Sequence, residues 1–359
     1  MNLKRTFVIA EAGVNHNGSV DMAVQLVDEA VKAGADAVKF QTFKTEKVIS
    51  RNAPKAGYQT KTTDMEESQF EMVKKLELGE ANFKYLIEYC RGRQIQFLST
   101  PFDLDSVDLL SNTLDLPLLK IPSGEITNAP LLLKAAQSGK PIILSTGMST
   151  LGEIETALGV LAFGYVSSNK TPSLAAFEDA YLSEKGQQIL HENIMLLQCT
   201  TEYPTQFTEV NLRAMDTLRS AFGLPVGLSD HTPGIAVPIA AVARGAAIIE
   251  KHFTLDKKLP GPDHNASLEP YELKSMMGAI RQVEEAMGSS SKIPTPSELK
   301  NKPIARKSLV AARDIRAGEV FTEDNLTSKR PGTGTSPMKY WDFLGKEARR
   351  DYKEDEEIS

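Results

Sequence analysis

The chain has 359 residues, of which 25% are charged and 41% hydrophobic, and a formal net charge of −6. This length suits one domain of about 250 residues plus a smaller one. With no long Lys/Arg block, the composition excludes nucleic acid as the main partner; a small anionic substrate remains open, because a few lysines focused in a cleft outweigh a mildly acidic exterior.

Met1 to Glu11 carries two positive charges but an apolar run too short for a signal peptide. From there, apolar or β-branched runs of strand length recur: Phe7 to Ala12, Ala37 to Phe43, Ile95 to Thr100, Pro117 to Ile121, Pro141 to Thr146, Asn193 to Thr200, Pro225 to Leu228 and Ala246 to Phe253. Segments with helical spacing separate them, such as Val20 to Val31 and Leu131 to Ala136, closed by Gly34 and Gly139. Eight such alternations predict an α/β protein, a parallel (β/α)8 barrel rather than an open sheet. No GxGxxG follows any strand, which removes the main support for a dinucleotide fold. The most apolar stretch, Pro233 to Ile249, is interrupted by Pro238 and Arg244 and too short to span a bilayer, so no membrane partner is expected. Cys90 and Cys199 stand alone, which fits a reducing cytoplasm and excludes a thiolate metal cluster.

Two stretches interrupt the alternation. Lys44 to Ser68, including Tyr58-Gln-Thr-Lys-Thr-Thr, is long and polar and reads as a lid or a surface loop. Val166 to Glu192 reads as an insertion with an amphipathic piece, Ala175 to Leu182, and a solvent-facing His191. After a helical Leu268 to Met287, residues 288–301 have linker composition. A compact end domain over 302–359 then follows the barrel domain, 1–287. It shows a strand at Lys307 to Arg313 and a helix start at Phe321. At this size its core is marginal, so it leans on a barrel, its own or a partner's.

The strands end in polar residues, where barrel enzymes place their chemistry. Lys39, Lys120, Glu250 and His252 sit within or at the end of apolar runs, where turn chemistry does not require them. Side chains alternate along a strand, so Lys39 and Gln41 share a face, as do Ser229 and His231, and Glu250 and His252. Lys251 faces the helices instead. Only five histidines occur, yet His231 and His252 end consecutive runs. They are either buried, hydrogen-bonded core residues or the two imidazoles of an open site for a divalent ion of the Mn/Co/Zn type. Lys39 and Lys120, with Ser123, Ser145 and Ser229, can hold a phosphate and a carboxylate. Glu11 and Glu125 can serve in acid/base work or grip hydroxyls. Such parts suit a phosphorylated, doubly anionic substrate beside a polarised carbonyl.

Glu11-Ala-Gly-Val-Asn-His-Asn-Gly18, Val38-Lys-Phe-Gln-Thr42, Phe97-Leu-Ser-Thr-Pro101, Lys120-Ile-Pro-Ser-Gly-Glu125, Leu144-Ser-Thr-Gly-Met148, Gly227-Leu-Ser-Asp-His-Thr232, Glu250-Lys-His-Phe-Thr254, Pro260-Gly-Pro-Asp263 and Lys329-Arg-Pro-Gly332 resemble, in order, the motifs of the bacterial sialic acid synthase family. The resemblance implies a barrel followed by an antifreeze-like (SAF-type) domain, and condensation of phosphoenolpyruvate with an N-acetylated amino sugar. The expected acceptor is N-acetylmannosamine, giving N-acetylneuraminate and phosphate; the alternative is a 2,4-diacetamido-6-deoxy sugar, giving legionaminate. By the same resemblance His231 and His252 hold Mn²⁺, or Mg²⁺ or Co²⁺, which activates the sugar's aldehyde. Lys39, Lys120, Ser123, Ser145 and Ser229 hold phosphoenolpyruvate, with Lys120 also counted as catalytic. Glu125 lies between the substrates, Gln41, Tyr203 and Asp263 contact the sugar, and Glu11 lies near the metal. Arg330 reaches the N-acetyl group from the other subunit of a domain-swapped homodimer. Thr201, where some members carry Asn, is left out of the site. Rival readings are a Schiff-base pyruvate aldolase built on Lys39 or Lys120 and a non-catalytic carbohydrate-binding protein.

Overall fold

The computed structural model describes residues 5–55, 67–166 and 170–359. It divides into two compact units, Met1–Gly288 and Ser289–Ser359.

In the first unit eight parallel strands follow one another in the order expected: β1 (Phe7–Gly13), β2 (Ala37–Thr42), β3 (Gln96–Pro101), β4 (Leu119–Ile121), β5 (Ile142–Ser145), β6 (Ile194–Cys199), β7 (Val226–Asp230) and β8 (Ile248–His252). The sheet order β3-β2-β1-β8-β7-β6-β5-β4 is that of a barrel, nearly closed where β3 and β4 run side by side. The strands are buried on both faces, which is why they read as continuous apolar runs. One set of alternating residues, including Val8, Val38, Leu119, Leu144 and Leu196, packs outward against the helices. The other set fills the barrel with Ile9, Ala37, Leu98, Leu118, Ile143, Leu197 and Ile248.

The alternation then places the chemistry. Two residues beyond this apolar plug, at the same parity, stand Glu11, Lys39, Thr100, Lys120, Ser145, Cys199 and Glu250. The register agrees across neighbouring strands: Glu11 lies opposite both Lys39 and His252, and Ser229 opposite Glu250.

Helix ends follow their sequence signals. Ser19 caps Val20–Ala33 by accepting from the Met22 N–H, and Gly34 ends that helix in the left-handed region at φ 82°. Within the long connection after β2, Thr45–Val48 and Gln69–Lys74 are short helices. Residues 56–66, which contain the Tyr58 segment expected as a lid, lie outside the described residues. The insertion after Val166 is helical over Leu174–Leu182 and Glu184–Asn193. Phe177 packs edge-on against Phe163 of the helix Leu151–Val166, with ring centroids 5.2 Å apart, and His191 is exposed as expected.

In the second unit β9 (Ser308–Ala311) pairs antiparallel with β10 (Leu326–Lys329) over a core of Leu309, Ala311, Ile315, Phe321, Leu326, Ala348, Tyr352 and Ile358. Two expectations are corrected here. No helix starts at Phe321: its ring is spent in the core, and the chain turns there, with the Thr322 N–H donating to Asn325 Oδ1 at 2.8 Å before β10 begins. The stretch 288–301 is not all linker, because Thr295 and Glu298 form a reciprocal cap that starts the helix Pro296–Ala305.

Gly227 occupies an inward-facing position on β7 where a Cβ would lie 2.3 Å from the Ile248 carbonyl oxygen and 2.8 Å from Leu197 Cδ2. Backbone cannot yield as a flexible side chain can, so Gly227→Ala is expected to lower stability by about 1–3 kcal/mol in urea denaturation; an unchanged midpoint contradicts this packing.

Candidate active site

The carboxyl ends of the strands enclose a cavity of ≈ 340 Å³. Of the side chains singled out from sequence, Glu11, Lys39, Gln41, Lys120, Ser123, Ser145, Tyr203, Ser229, His231, His252 and Asp263 all line it. Glu125 does not: it sits in the tight turn Ser123–Glu125, half-buried, where Asn128 Nδ2 donates to its Oε2 at 2.6 Å. Arg330 belongs to the second unit, where its Nε donates to the Ala305 carbonyl at 3.0 Å.

At the floor lies a buried charge network. Lys39 Nζ is 2.7 Å from Glu11 Oε2 and 3.5 Å from Glu250 Oε2, and it donates to Thr100 Oγ1 at 2.8 Å. Lys120 Nζ is 3.2 Å from Glu250 Oε1, which also accepts from Ser229 Oγ at 2.9 Å. Burial pushes the Glu11 carboxyl up to about 7, with the Lys39 ammonium only partly offsetting it. Burial pushes Glu250 the same way, but the ammoniums of Lys120 and Lys39 outweigh it and hold that carboxyl at about 2. Lys39 is held above its ordinary value: burial favours the neutral amine, and the carboxylates of Glu11 and Glu250 overcome it. A Schiff-base lysine needs the opposite shift, so the aldolase reading loses its best nucleophile. Asp263 is pushed by burial up to about 6. Ser145 Oγ is buried without a hydrogen-bond partner, as befits a group awaiting a ligand.

The imidazoles of His231 and His252 lie with centroids 5.5 Å apart, and the Tyr203 ring lies against His231 at 4.1 Å, tilted by 33°. His231 Nδ1 donates to the Thr200 carbonyl at 2.7 Å, which fixes the tautomer and leaves the Nε2 lone pair 3.4 Å from Ser229 Oγ. His252 Nδ1 is buried without a partner, and burial followed by the charges of His231 and Lys39 holds this ring well below its ordinary value, hence neutral. Burial favours the neutral form of His231 as well, but Cys199 and the Thr200 carbonyl outweigh it and hold that ring above its ordinary value. With the orphaned nitrogen of His252 beside it, the pair still fits a divalent ion, which would displace the His231 proton. Among the described residues no group of three or more His, Cys, Asp or Glu side chains is placed to hold one. The pair therefore fits an ion that takes its remaining ligands from water or substrate.

Polar lining residues not assigned to the site from sequence include Glu250, Thr100 and Thr201, the last weighed there and left out. For Glu250 the signal was present, since it shares a strand face with His252. Thr100 stands at the parity of Lys39's neighbours on β3. The far wall of the cavity is apolar, formed by Val48, Ile49, Met72, Val73, Leu76 and Phe102.

Residues 26–292 match the model of the NeuB family, and residues 306–359 that of the SAF domain. The chain is 55% identical over 356 residues to an N,N'-diacetyllegionaminic acid synthase of Campylobacter jejuni, covering 99% of each chain. To the N,N'-diacetyllegionaminic acid synthase of Legionella pneumophila it is 43% identical, over 94% of this chain and 89% of that one. The crystal structure of the N-acetylneuraminic acid synthetase from Leptospira borgpetersenii superposes with a TM-score of 0.67 at 34% identity, covering 83% of this chain and 90% of that one.

The raised carboxyl of Glu11 has a measurable consequence. Its folded value near 7 exceeds the ordinary 4.5, so its contribution to stability is complete below 4.5 and is lost as pH rises through 7. Asp263 acts in the same sense between 3.8 and about 6, whereas Glu250 acts oppositely only below 4.5. Opposing Glu11 and Asp263, burial holds the rings of His16, His252 and His264 below their ordinary 6.5, which adds stability as pH rises toward 7. The share from Glu11, on the order of 3 kcal/mol lost between pH 5 and 8, is therefore read from the difference between metal-free wild type and Glu11→Gln. In denaturation at several pH values the stability of wild type minus that of Glu11→Gln should fall as pH rises from 5 to 8; a difference that does not change with pH contradicts the assignment.

Proposed function

The chain belongs to the NeuB family, and from that membership we propose that it condenses phosphoenolpyruvate with a 2,4-diacetamido-6-deoxy sugar and water, yielding a legionaminate-type nine-carbon 2-keto acid and phosphate. The carrying observation is one cavity that holds two buried lysines, a partnerless serine hydroxyl and two neighbouring imidazoles. N-Acetylmannosamine, the acceptor expected from sequence, gives way as the leading candidate. Both relatives at 55% and 43% identity are N,N'-diacetyllegionaminic acid synthases. The apolar wall of Val48, Ile49, Met72, Val73, Leu76 and Phe102 favours the same choice, because the 6-deoxy sugar has a methyl where N-acetylmannosamine has a hydroxymethyl, and its 4-acetamido group ends in a methyl where N-acetylmannosamine has a hydroxyl.

In this reading Lys39 and Lys120, with Ser123, Ser145 and Ser229, hold the phosphate and carboxylate of phosphoenolpyruvate and neutralise its charge in a dry site. Gln41, Tyr203 and Asp263 orient the sugar, so that its aldehyde carbon meets C3 of the enol at short range. A C–C bond forms there, water adds at C2, and the C2–O bond to phosphorus breaks as phosphate leaves. Glu11, poised near neutrality, can take a proton from water or return one; Glu125 is proposed to join it after turning from Asn128. His231 and His252 would hold the divalent ion, Mn²⁺ with Mg²⁺ or Co²⁺ as substitutes, whose chemistry is Lewis-acid polarisation of the aldehyde. Arg330 is proposed to reach the N-acetyl group from a second subunit in a domain-swapped homodimer, supported by the Lys329-Arg-Pro-Gly332 motif. The isolated, buried Cys90 and Cys199 suit the cytoplasm, and among the described residues no helix is long and apolar enough to cross a membrane.

Two outcomes follow in phosphate-release assays. With Mn²⁺ present, the 2,4-diacetamido-6-deoxy sugar should exceed N-acetylmannosamine in kcat/KM by roughly 10-fold or more, since burying the acetamido methyl gains about 0.8 kcal/mol and a C6 hydroxyl left against the apolar wall costs about 1 kcal/mol or more; equal or inverted preference overturns this acceptor. Chelation should abolish release and Mn²⁺ restore it, while His231→Ala or His252→Ala should cost roughly 100-fold or more in kcat. Full turnover after chelation contradicts the metal assignment.

A further inference from the structure

One buried charged pair has no part in the chemistry above. Lys251 lies between Glu250 and His252 on β8, and Asp230 between Ser229 and His231 on β7. Both face away from the cavity and toward the helices. They are register partners across the β7–β8 ladder, and Lys251 Nζ is 2.5 Å from Asp230 Oδ2 with both side chains at most 1% exposed. The ammonium also donates to the Thr232 carbonyl. The Asp230 carboxylate accepts from the Thr232 N–H and from its hydroxyl, each at 3.1 Å. Every strong partner of this cluster therefore lies within one residue of His231 or His252. The backbones beyond it are pinned too: the Thr205 N–H donates to the His231 carbonyl at 2.9 Å and the Leu268 N–H to the His252 carbonyl at 2.8 Å.

Energetically, an ion pair is a poor way to fill a dry, helix-facing site. Desolvation consumes most of the Coulombic gain, and well-packed apolar residues of similar volume usually serve stability as well or better. What apolar packing does not supply is direction. A charged pair that also holds the Thr232 N–H, hydroxyl and carbonyl fixes where the chain turns after β7 relative to the end of β8. That relation sets the separation and tilt of the two imidazoles.

We propose that Asp230 and Lys251, with Thr232, form a positioning clamp that sets the spacing of His231 and His252 for a divalent cation. The inference rests on the reading of those histidines as metal ligands. Residues that orient ligands from behind typically cost about 10- to 100-fold in metal affinity when replaced.

The test is Mn²⁺ titration calorimetry on the full-length protein, stripped with chelator, in wild type and in the double variant Lys251→Met/Asp230→Asn, which removes both charges and so leaves no lone buried ion. The clamp predicts cooperative unfolding like wild type, Mn²⁺ binding weakened about 10- to 100-fold, an unchanged KM for phosphoenolpyruvate, and kcat recovered at high Mn²⁺. A purely structural pair would leave the Mn²⁺ affinity of the folded variant within about twofold of wild type, which overturns the clamp. If the double variant does not fold, Thr232→Val removes one donor to Asp230 at nearly constant shape; weaker Mn²⁺ binding supports the clamp and unchanged binding overturns it. A wild type that takes up no Mn²⁺ overturns the ligand reading itself, and the clamp with it.

Discussion

Four ionisable side chains, Glu11, Lys39, Lys120 and Glu250, are buried together at the barrel mouth, where charge must be balanced by neighbours because water is excluded. Two ammoniums face two carboxyls, but the carboxyls are unequal. Glu250 sits between both lysines and stays ionised; Glu11 touches one and hovers near neutrality. On the proposed function, such a floor exchanges an internal anion for an external one. A substrate bearing phosphate and carboxylate can take the lysines' charge while Glu11 picks up a proton, which lowers by one the negative charge that floor and substrate would otherwise carry together.

The barrel makes this arrangement possible by parity. Ile9, Ala37, Leu98, Leu118, Ile143 and Ile248 plug the interior, and the polar residue two positions later on each strand is carried to one height. Apolar burial supplies the stability, and the functional groups are placed by the same alternation that places the plug. The histidines extend the pattern by one further step, so the two imidazoles and the two lysines line one cavity, linked through Ser229, whose hydroxyl lies 3.4 Å from His231 Nε2 and donates to Glu250.

Much of this was legible in the chain itself. Fully buried parallel strands announce themselves as apolar runs, so all eight could be counted, and parity put Lys39 with Gln41 and Ser229 with His231. Periodicity is blind to partners, however. Glu250 was visible as an ionisable residue on the right face, but only coordinates show it bridging Lys39 and Lys120. Lys251 read as merely structural until its contact with Asp230 appeared. Glu125 turns to Asn128 in a local contact that no spacing reveals. Phe321 has a helix-start setting, yet the small second core claims its ring. The acceptor sugar was least legible, because the apolar wall on which the proposed choice rests comes mostly from the connecting segment after β2, whose residues carry no charged motif.

The exchange of anions at the floor is open to direct measurement. Phosphoenolpyruvate titrated into metal-free protein at pH 8, in buffers of different ionisation enthalpy, should bind with net proton uptake that disappears in Glu11→Gln, because the incoming anion raises a carboxyl already near 7. Binding without proton uptake, or uptake that persists in the variant, would contradict the account.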